Sequence, residues 1–282
     1  MTTGRDDGFA LVAAVAGVAV FAFFAFEILD ASHGTIALLH AQQDRAVLAA
    51  AADAGLAQAI HDVALDDRAK RMPIDGIPRV SSFDGVKLTV TVSDERGKVA
   101  INKVGSDVER RLFAAAGVSG DRLDILVDSL DDWKDENDAP RSHGAEIDYY
   151  RPMGIRPRNG AIRTIDELGQ IRGMDADLLA RIAPAITVFP GNNGGFNADT
   201  APPLALAAMQ GEGSASFNIQ KRQQELAGQR TALDITADTP ITGRSLSILV
   251  NARLPDGGVY TREQIVEFTG NPVQPYWIRY VR

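Results

Sequence analysis

The acidic stretch DWKDENDAPRSHGAEIDYY, residues 132–150, is the part of the sequence whose side chains could do chemistry. Between residues 121 and 148, ten carboxylates accompany only three basic side chains, so this segment carries a net charge of −7 in a chain whose total is −8. Neighbouring carboxylates repel each other by roughly 1 kcal/mol per exposed pair, and by more where they are partly buried. The pattern therefore predicts a cation or a set of hydrogen-bond donors that offsets the repulsion.

The spacing of oxygen-bearing side chains in this stretch is typical of a calcium loop. Asp135 and Asn137 alternate along an irregular turn, and Glu146 and Asp148 follow after a short loop. Calcium takes six to eight oxygen ligands from such loops, but the glycine and glutamate that mark an EF-hand are missing here. A solvated acidic loop with helix-capping aspartates explains the same residues, and composition alone leaves both interpretations open.

The other motifs favour a protein that is not an enzyme. The chain has no cysteine, and its four histidines are scattered without metal-ligand spacing. It lacks a G-x-S-x-G nucleophile elbow, a phosphate-binding glycine loop and an H-E-x-x-H motif. Carboxylates are too common here for any pair of them to indicate glycoside hydrolysis.

The overall negative charge argues against nucleic-acid binding, because attraction to phosphate needs a basic face. A predicted helical hairpin around Gly173 has a locally basic neighbourhood, but Asp175 stands where backbone amides would meet phosphate, and aromatic residues for base stacking are absent there. The arginines near the hairpin are Arg151, Arg156, Arg158, Arg163 and Arg172. We expect them to pair with the acidic loop or with a partner subunit.

The N-terminal part of the chain predicts a membrane-length helix. Residues 9–26 are eighteen apolar residues without a charge, and a helix of this length spans roughly 27 Å, close to the hydrocarbon thickness of a bilayer. The alanine-rich, proline-free sequence that follows predicts that the helix continues to about Arg71, before Pro73, and becomes amphipathic in its second half.

Period-two alternation predicts the strands that this amphipathic half would cover. Residues 86–92 alternate cleanly, and residues 98–101 are predicted to return beside them after a turn. Residues 245–253, 259–268 and 276–281 form a second group of strands. Together they predict an antiparallel meander packed on the long helix.

Between the two groups of strands, the sequence pattern of residues 102–209 predicts helices. The predicted helices are 108–116, 121–133, one that starts at Thr164, 175–183 and a short one after Pro203, whereas the polar segment 210–239 is predicted to be loop. The two helical hairpins of this region could be distant copies of one unit. Trp133, Tyr149 and Tyr150 are predicted to be buried anchors beneath the acidic loop.

The N-terminal pattern resembles the type IV pilin-like proteins. In that family a short leader ends in glycine and is removed by prepilin peptidase before a phenylalanine, which makes Gly8–Phe9 the implied processing site. Most pilins carry glutamate as the fifth residue after the cut, whereas this chain has Ala13, a loss associated with the K-type minor pseudopilins of type II secretion.

The order of motifs along the chain also resembles the K-type minor pseudopilins over nearly its full length. The matching segments are Ile101-Asn102, Asp132-Trp133, Gly144-Ala145-Glu146, Asp148-Tyr149-Tyr150, Pro157-Arg158-Asn159-Gly160, Asp166-Glu167-Leu168 and Asn197-Ala198-Asp199-Thr200-Ala201-Pro202.

This resemblance implies an α+β fold in which a pilin-like long N-terminal α-helix packs on an antiparallel β-sheet, with a large inserted α-helical domain of two SAM-like units. The implied divisions are a prepilin leader peptide (1–8), the long helix (9–71, with 9–26 transmembrane), the first part of the β-domain (72–101), the inserted α-domain with a calcium loop (102–209), and a linker with the C-terminal strands (210–282).

The resemblance implies calcium as a cofactor, with ligands from six side chains: Asp132, Asp135, Asn137, Asp138, Glu146 and Asp148. It further implies contacts with I-type and J-type minor pseudopilins and the major pseudopilin through helix faces. The implied interface residues are Phe9, Leu11, Ala13, Ile36 and Leu39.

The implied function is to cap the tip of the type II secretion pseudopilus and to help initiate its assembly, from a single-pass position in the bacterial inner membrane with the C-terminal domain in the periplasm. Two alternatives stay open: a membrane-anchored, calcium-dependent binding protein without a filament, and a DNA-uptake minor pilin.

Overall fold

The computed structural model describes residues 7–67, 70–192, 194–211, 220 and 240–282, with residues 7–10 and 28–37 described as helical backbone. The predicted leader, apart from its last two residues, and nearly all of the predicted linker therefore lie outside the described residues. The side chains of Gly8, Phe9 and Ile36 lie outside them as well.

The first element is one long helix, α1, which spans Asp7–Ala64. Its abundant alanine and the absence of proline favour an uninterrupted helix, as predicted. The helix ends before the predicted Arg71 because Asp66 and Asp67 follow Leu65, and negative charge is unfavourable at the C-terminal end of the helix dipole. The Arg71 side chain instead reaches back to the end of the helix, where its Nε donates to the carbonyl oxygen of Leu65 at 2.7 Å.

The two halves of α1 have different surroundings. In the N-terminal half the apolar side chains that the structure describes, over residues 11–27, are exposed, including those of Leu11, Ala13 and Phe21, and Leu39 is exposed too. The C-terminal half packs on the sheet through buried residues: Leu48, Ala51, Ala52, Leu56, Ala59, Ile60 and Val63. Within the part of the chain that the structure describes, no helix is both long enough and apolar enough to cross a membrane, so the predicted span over residues 9–26 is not confirmed.

The sheet has five antiparallel strands in the order β1-β2-β5-β6-β7. They are β1 (Arg79–Phe83), β2 (Val86–Asp94), β5 (Ser245–Arg253), β6 (Val259–Phe268) and β7 (Tyr276–Val281). Alternate residues of β2, from Val86 to Val92, are buried against α1, as the period-two pattern predicts. The helix lies across β2, β5 and β6, which confirms the predicted packing of helix on sheet.

One predicted strand pairing is wrong. Residues 98–101 do not return beside β2; the two-residue strand β3, Val99–Ala100, pairs in parallel with β4, Ile186–Thr187. The reason is the turn that precedes β3: a 3-10 helix, Glu95–Gly97, is capped by the Asp94 side chain, which accepts the backbone N–H of Arg96. The chain therefore leaves the sheet, and β1, which the sequence pattern did not predict, takes the edge beside β2.

The inserted region has its own core, formed by residues from 99 to 208. Its helices are α2 (Ser106–Ala115), α3 (Asp121–Lys134), α4 (Ile147–Tyr150), α5 (Ala176–Ile182) and α6 (Pro203–Gln210). The helix predicted from Thr164 is a 3-10 helix, Ile165–Gln170. Thr164 and Ile171 on either side of it have extended backbone, so the element has only six residues, a length that suits a 3-10 helix.

A buried ionic cluster joins the insertion to the sheet. The carboxylate of Asp94 accepts hydrogen bonds from Nε and Nη2 of Arg96 at 3.0 and 2.8 Å, from Nη2 of Arg244 at 2.6 Å and from Nδ2 of Asn197 at 3.3 Å. Asp94 ends β2, Arg244 immediately precedes β5, and Asn197 belongs to the insertion. One carboxylate thus ties three parts of the chain together.

Candidate functional site

The acidic loop begins at the C-terminal end of α3, where the helix places one carboxylate inside the protein. The apolar face of α3 buries Leu126, Leu130 and Trp133, and Asp132 lies next to that face with no exposed surface. Its carboxylate accepts the backbone N–H of Arg141 at 3.1 Å and Nη1 of the same residue at 2.7 Å. The loop therefore folds back onto the last turn of α3.

Arg141 bridges two of the predicted ligands. Its Nη1 lies 2.7 Å from Oδ1 of Asp132 and 2.6 Å from Oδ2 of Asp135. Burial would lower the pKa of Arg141, but the hydrogen bonds to Asp132 and Asp135 and the charge of Asp131 raise it above its ordinary value. The guanidinium is thus the positive charge that partly offsets the repulsion predicted from the sequence.

Side-chain hydrogen bonds give the loop its shape. Nδ2 of Asn137 donates to Oδ1 of Asp135 at 2.8 Å, and Oδ1 of Asn137 accepts the backbone N–H of Ala139 at 2.8 Å. Nδ2 of Asn159 donates to Oδ1 of Asp138 at 2.8 Å, from a left-handed backbone conformation with φ 48° that asparagine tolerates well. The loop is therefore held by its own polar side chains and by a segment some twenty residues later.

Glu146 is the member of the set whose carboxylate accepts no hydrogen bond from the residues that the structure describes. Only 4% of the residue is exposed, yet both carboxylate oxygens are buried without a hydrogen-bond donor. Burial, together with the charges of Asp132, Asp135 and Asp138, raises the pKa of Glu146 to about 7. A buried carboxylate without donors is unfavourable and therefore indicates a missing cationic or donor group.

Asp148, also predicted as a ligand, lies differently. It sits in α4 with 87% of its side chain exposed and pairs with Nη2 of Arg151 at 3.2 Å, one helical turn away. Asp132, at the end of α3, and Asp135 thus share Arg141, Asn137 and Asp138 lie in the loop that follows, and Glu146 caps α4. The Asp148 side chain faces solvent.

The side chains of this site are of the chemical type that binds a hard cation such as calcium, because their donor atoms are oxygens. They offer several carboxylate oxygens and an amide oxygen, and the unpartnered oxygens of Glu146 are free to bind. The arrangement is not a preformed metal cage: among the residues described, no three His, Cys, Asp or Glu side chains are grouped closely enough to hold a metal ion. Binding would require the carboxylates to converge.

An aromatic cluster supports the loop from below. The rings of Trp133 and Tyr150 meet edge to face at 5.2 Å, and those of Tyr149 and Tyr150 at 5.1 Å. Nε1 of Trp133 donates to Oε1 of Glu167 at 2.9 Å. Trp133 and Tyr150 are buried as predicted, whereas Tyr149 is exposed, with the guanidinium of Arg172 stacked 4.9 Å above its ring.

Sequence reasoning missed the roles of two residues of the site, Gly144 and Arg141, whereas Arg172 contacts the acidic loop as expected. Nη1 of Arg172 donates to the carbonyl oxygen of Gly144 at 3.0 Å. A Cβ on Gly144 would lie 1.9 Å from Oδ2 of Asp132, so the loop can close only over glycine. The sequence indicates Arg141 only as one of three positive charges among ten carboxylates. The motif Gly144-Ala145-Glu146 was the one signal that could have pointed to Gly144.

A second buried acidic group lies at the other side of the same helix end. Glu109 of α2 is fully buried and pairs with Nζ of Lys134, which also contacts Oδ1 of Asp131 at 3.4 Å. Burial raises the pKa of Glu109 to about 7 against the opposing charge of Lys134. This cluster joins α2 to α3, and its cation, Lys134, is paired with Glu109 and Asp131.

Comparison with known proteins finds a family that resembles the middle part of the chain. Residues 88–191 match the family described as "Type II secretion system (T2SS), protein K". The type II secretion system protein K of Dickeya chrysanthemi is 33% identical over 123 residues, which cover 42% of this chain and 34% of that protein. Protein K of Pseudomonas aeruginosa is 30% identical over 138 residues, covering 45% of this chain and 41% of that protein. The matched part therefore spans less than half the length of these curated relatives.

A solved structure extends the likeness to the whole fold. The chain matches a chain of the GspK-GspI-GspJ complex from the enterotoxigenic Escherichia coli type 2 secretion system with a TM-score of 0.61 and 16% identity, over 86% of this chain and 97% of that one. This match confirms the predicted α+β fold with its long helix, antiparallel sheet and helical insertion. Residues 88–191 are thus similar to the type II secretion system protein K family, and the chain as a whole shares the fold of the solved chain.

Proposed function

We propose that the chain is a non-enzymatic minor pseudopilin that caps the tip of the type II secretion pseudopilus and helps to initiate its assembly. The observation that carries this proposal is the contrast along α1, whose C-terminal half is buried against its own sheet while its N-terminal half exposes apolar side chains. An exposed apolar helix face of this length suits packing against the helices of other subunits.

The inserted helical region supports a place at the tip. It adds a second core to a helix-and-sheet unit, and this bulk would obstruct a subunit stacked above it. Ala13 fits the same place, because a first subunit has no upper neighbour whose amino terminus needs a negative partner. I-type and J-type minor pseudopilins are the proposed neighbours, by likeness to the GspK-GspI-GspJ complex. The major pseudopilin is the proposed neighbour below them.

The proposed contact face is tested by placing charge on it. Pull-down of the I-type and J-type partners with the full-length chain should fall at least tenfold when Leu39 is replaced by Asp, because a carboxylate would be desolvated in an apolar interface. The change Val273→Asp, at an exposed apolar residue near the far edge of the sheet, is the matched control. Equal loss in both variants would argue against the helix face as the interface.

The proposed localisation is the bacterial inner membrane, with α1 as the anchor and the remaining chain in the periplasm after cleavage by prepilin peptidase. We expect protein purified from native membranes to begin at Phe9. Intact mass spectrometry measures this directly, and a Gly8→Val variant serves as the uncleaved control. A mature chain that retains residues 1–8 would instead favour the membrane-anchored, calcium-dependent binding protein without a filament.

The proposed cofactor is calcium, held by Asp132, Asp135, Asn137, Asp138 and Glu146. When bound, calcium would supply positive charge to a carboxylate cluster that Arg141 alone does not neutralise. The protein's own residues define the rest: Gly144 admits the close turn, Asn159 holds Asp138, and the aromatic cluster fixes the helix end from which Asp132 projects.

We expect Glu146→Gln to weaken calcium binding at least tenfold, because the change removes one charged ligand without changing its size. Isothermal titration of the full-length protein in detergent measures the affinity. Asp148→Asn is the matched control, and its affinity should stay within about threefold of the unaltered protein because that side chain faces solvent. An affinity unaffected by Glu146→Gln would contradict this ligand set.

A further inference from the structure

A cleft of about 560 Å³ lies between the insertion and the face of the sheet that does not carry α1. Strands β2, β5, β6 and β7 form one wall, and α5 with the segments around it forms the other. The sheet wall includes Ile265, which is buried yet belongs to neither of the two cores, and the insertion wall includes Leu179, which only borders the insertion core. Cavities of this volume at the junction of two packed units are typical ligand sites.

Small side chains line much of both walls of the cleft. The sheet wall presents hydroxyl side chains, at Thr91, Ser93 and Ser247, whereas the α5 wall includes Ala180 and Pro184. Walls of small side chains leave room for a flat ring between them. The hydroxyl groups can also bond the polar atoms of a peptide backbone, because each both donates and accepts.

Two aromatic rings also line the cleft. The ring of Phe189, from the insertion, and that of Tyr280, from β7, have centroids 6.2 Å apart and planes inclined by 32°. Both residues are only partly buried. Aromatic rings attract one another at centroid distances of about 4.5–7 Å, so a third ring in the cleft would extend this pair favourably.

The charges of the lining favour a basic ligand. Three carboxylates and two basic side chains line the cleft: Glu95, Asp166, Glu263, Lys98 and Arg282. Nζ of Lys98 lies 2.6 Å from Oε1 of Glu95, so these two charges neutralise each other. The remaining lining has one carboxylate in excess, which is unfavourable for an acidic ligand and favourable for a basic one.

Glu263 is the carboxylate best placed to receive a basic group. Its neighbour on β6, Arg262, pairs with Asp53 of α1, so the alternation of side chains along the strand directs Glu263 to the opposite face, which forms the cleft. The backbone of Glu263 pairs with that of Arg282, but its partly buried side chain makes no ion pair with another residue that the structure describes. A basic group in the cleft would give this carboxylate a counter-ion.

We propose that the cleft binds a segment of a partner protein that presents an aromatic side chain next to a basic one. The ring enters between the two walls beside Phe189 and Tyr280, and the basic group pairs with Glu263. Large aromatic and basic side chains are the residues that most often dominate the binding energy of protein interfaces. This site goes beyond the proposed contacts of α1, because it uses the insertion and the opposite face of the sheet.

The test is fluorine NMR titration of the full-length protein in detergent with three short peptides, each carrying a trifluoroacetyl cap and an amidated end. Their sequences are Lys-Trp-Lys, Glu-Trp-Glu and Lys-Ala-Lys. We expect the first peptide to bind about tenfold more tightly than either of the others, because only it supplies both the ring and the positive charge.

Two variants place the binding in the cleft. Ala180→Trp puts a ring of the protein's own between the walls and should weaken binding of Lys-Trp-Lys about tenfold. Ala114→Trp, at an exposed alanine of α2 outside the cleft lining, is the matched control and should leave the affinity within about threefold. Glu263→Gln, which keeps the volume of the side chain, should reduce the preference for Lys-Trp-Lys over Glu-Trp-Glu about fivefold.

Thermal unfolding of each variant shows whether it is folded, and Glu263→Gln decides the question if Ala180→Trp is not. The proposal is overturned if the unaltered protein binds none of the peptides, or binds Glu-Trp-Glu or Lys-Ala-Lys as tightly as Lys-Trp-Lys. It is also overturned if Ala114→Trp weakens binding as much as Ala180→Trp, or if Glu263→Gln leaves the preference between peptides unchanged. None of these outcomes bears on the proposed contacts of α1, which the Leu39→Asp variant tests separately.

Discussion

Replacing Asp94 with alanine is expected to destabilise the protein by about 3–5 kcal/mol, because it leaves the charges of Arg96 and Arg244 in a buried site without their counter-ion. The Asp94 side chain has no exposed surface, and those of Arg96 and Arg244 are at most 10% exposed. Urea unfolding of the full-length protein in detergent measures the change in the free energy of unfolding.

The matched control is Asp53→Ala, which breaks an ion pair between α1 and β6. Nε of Arg262 lies 2.8 Å from Oδ1 of Asp53, but both side chains are substantially exposed, so the expected loss is below about 1 kcal/mol. Equal losses in the two variants would contradict the role of the buried cluster.

The Asp94 cluster also predicts an acid-sensitive component of stability. Burial would raise the pKa of Asp94, but hydrogen bonds from Arg96 and the charge of Arg244 lower it below its ordinary value of 3.8. A carboxyl whose folded pKa is lowered stabilises the protein fully above its unfolded pKa and loses this contribution as the pH falls through the folded pKa. The stability of Asp94→Ala should therefore depend less on pH below about 4.

Replacing Trp133 with alanine is expected to cost about 3–5 kcal/mol, the usual range for removing a large buried aromatic side chain. Trp133 is only 2% exposed, packs against Tyr150 and donates to Glu167. The resulting cavity would lie directly beneath the acidic loop, so we also expect weaker calcium binding. Denaturant unfolding measures the first effect and calcium titration the second.

The chain contains only two tryptophans, and the other provides the control. Trp277 lies on the edge strand β7, is 41% exposed and stacks on Arg279 at 4.7 Å, so Trp277→Ala should cost about 1 kcal/mol or less. Trp133→Phe keeps most of the packing but loses the hydrogen bond to Glu167, and should cost about 1–2 kcal/mol. A Trp133→Ala variant as stable as Trp277→Ala would contradict the placement of Trp133 in the core.

The sheet shows what sequence periodicity can and cannot predict. The strands of residues 86–92, 245–253, 259–268 and 276–281 follow from alternation, because one face of each contacts α1 or the rim of the same core. The pairing of Val99–Ala100 could not be predicted, because its partner is a two-residue strand far along the chain and the deciding turn depends on a side-chain cap by Asp94. Short strands carry too little pattern to specify their neighbours.

The loop shows the same limit at the level of side chains. Its oxygen-bearing residues could be named from composition, but among the residues described no three of the acidic side chains are grouped closely enough to hold a metal ion. The contact of Arg172 agrees with the expected pairing between the nearby arginines and the loop. The roles of Asn159 and Gly144 could not be predicted, because Asn159 reaches the loop from a distant segment and the contact of Gly144 with Asp132 depends on backbone geometry. Arg141 carried no local signal that it would bridge two carboxylates.

The placement of the insertion between neighbouring strands has a consequence for folding kinetics. β2 and β5 lie side by side, yet Asp94 and Arg244 are 150 residues apart in sequence. Closing a flexible loop of that length costs about 4 kcal/mol in its length-dependent term. If the insertion folds first, the parallel pair β3–β4 already joins residues 99 and 186 and reduces that term by about 1 kcal/mol. The helical region would then act as a folding nucleus for the sheet, so that changes in its core slow the completion of the pilin-like unit as well as weakening the insertion itself.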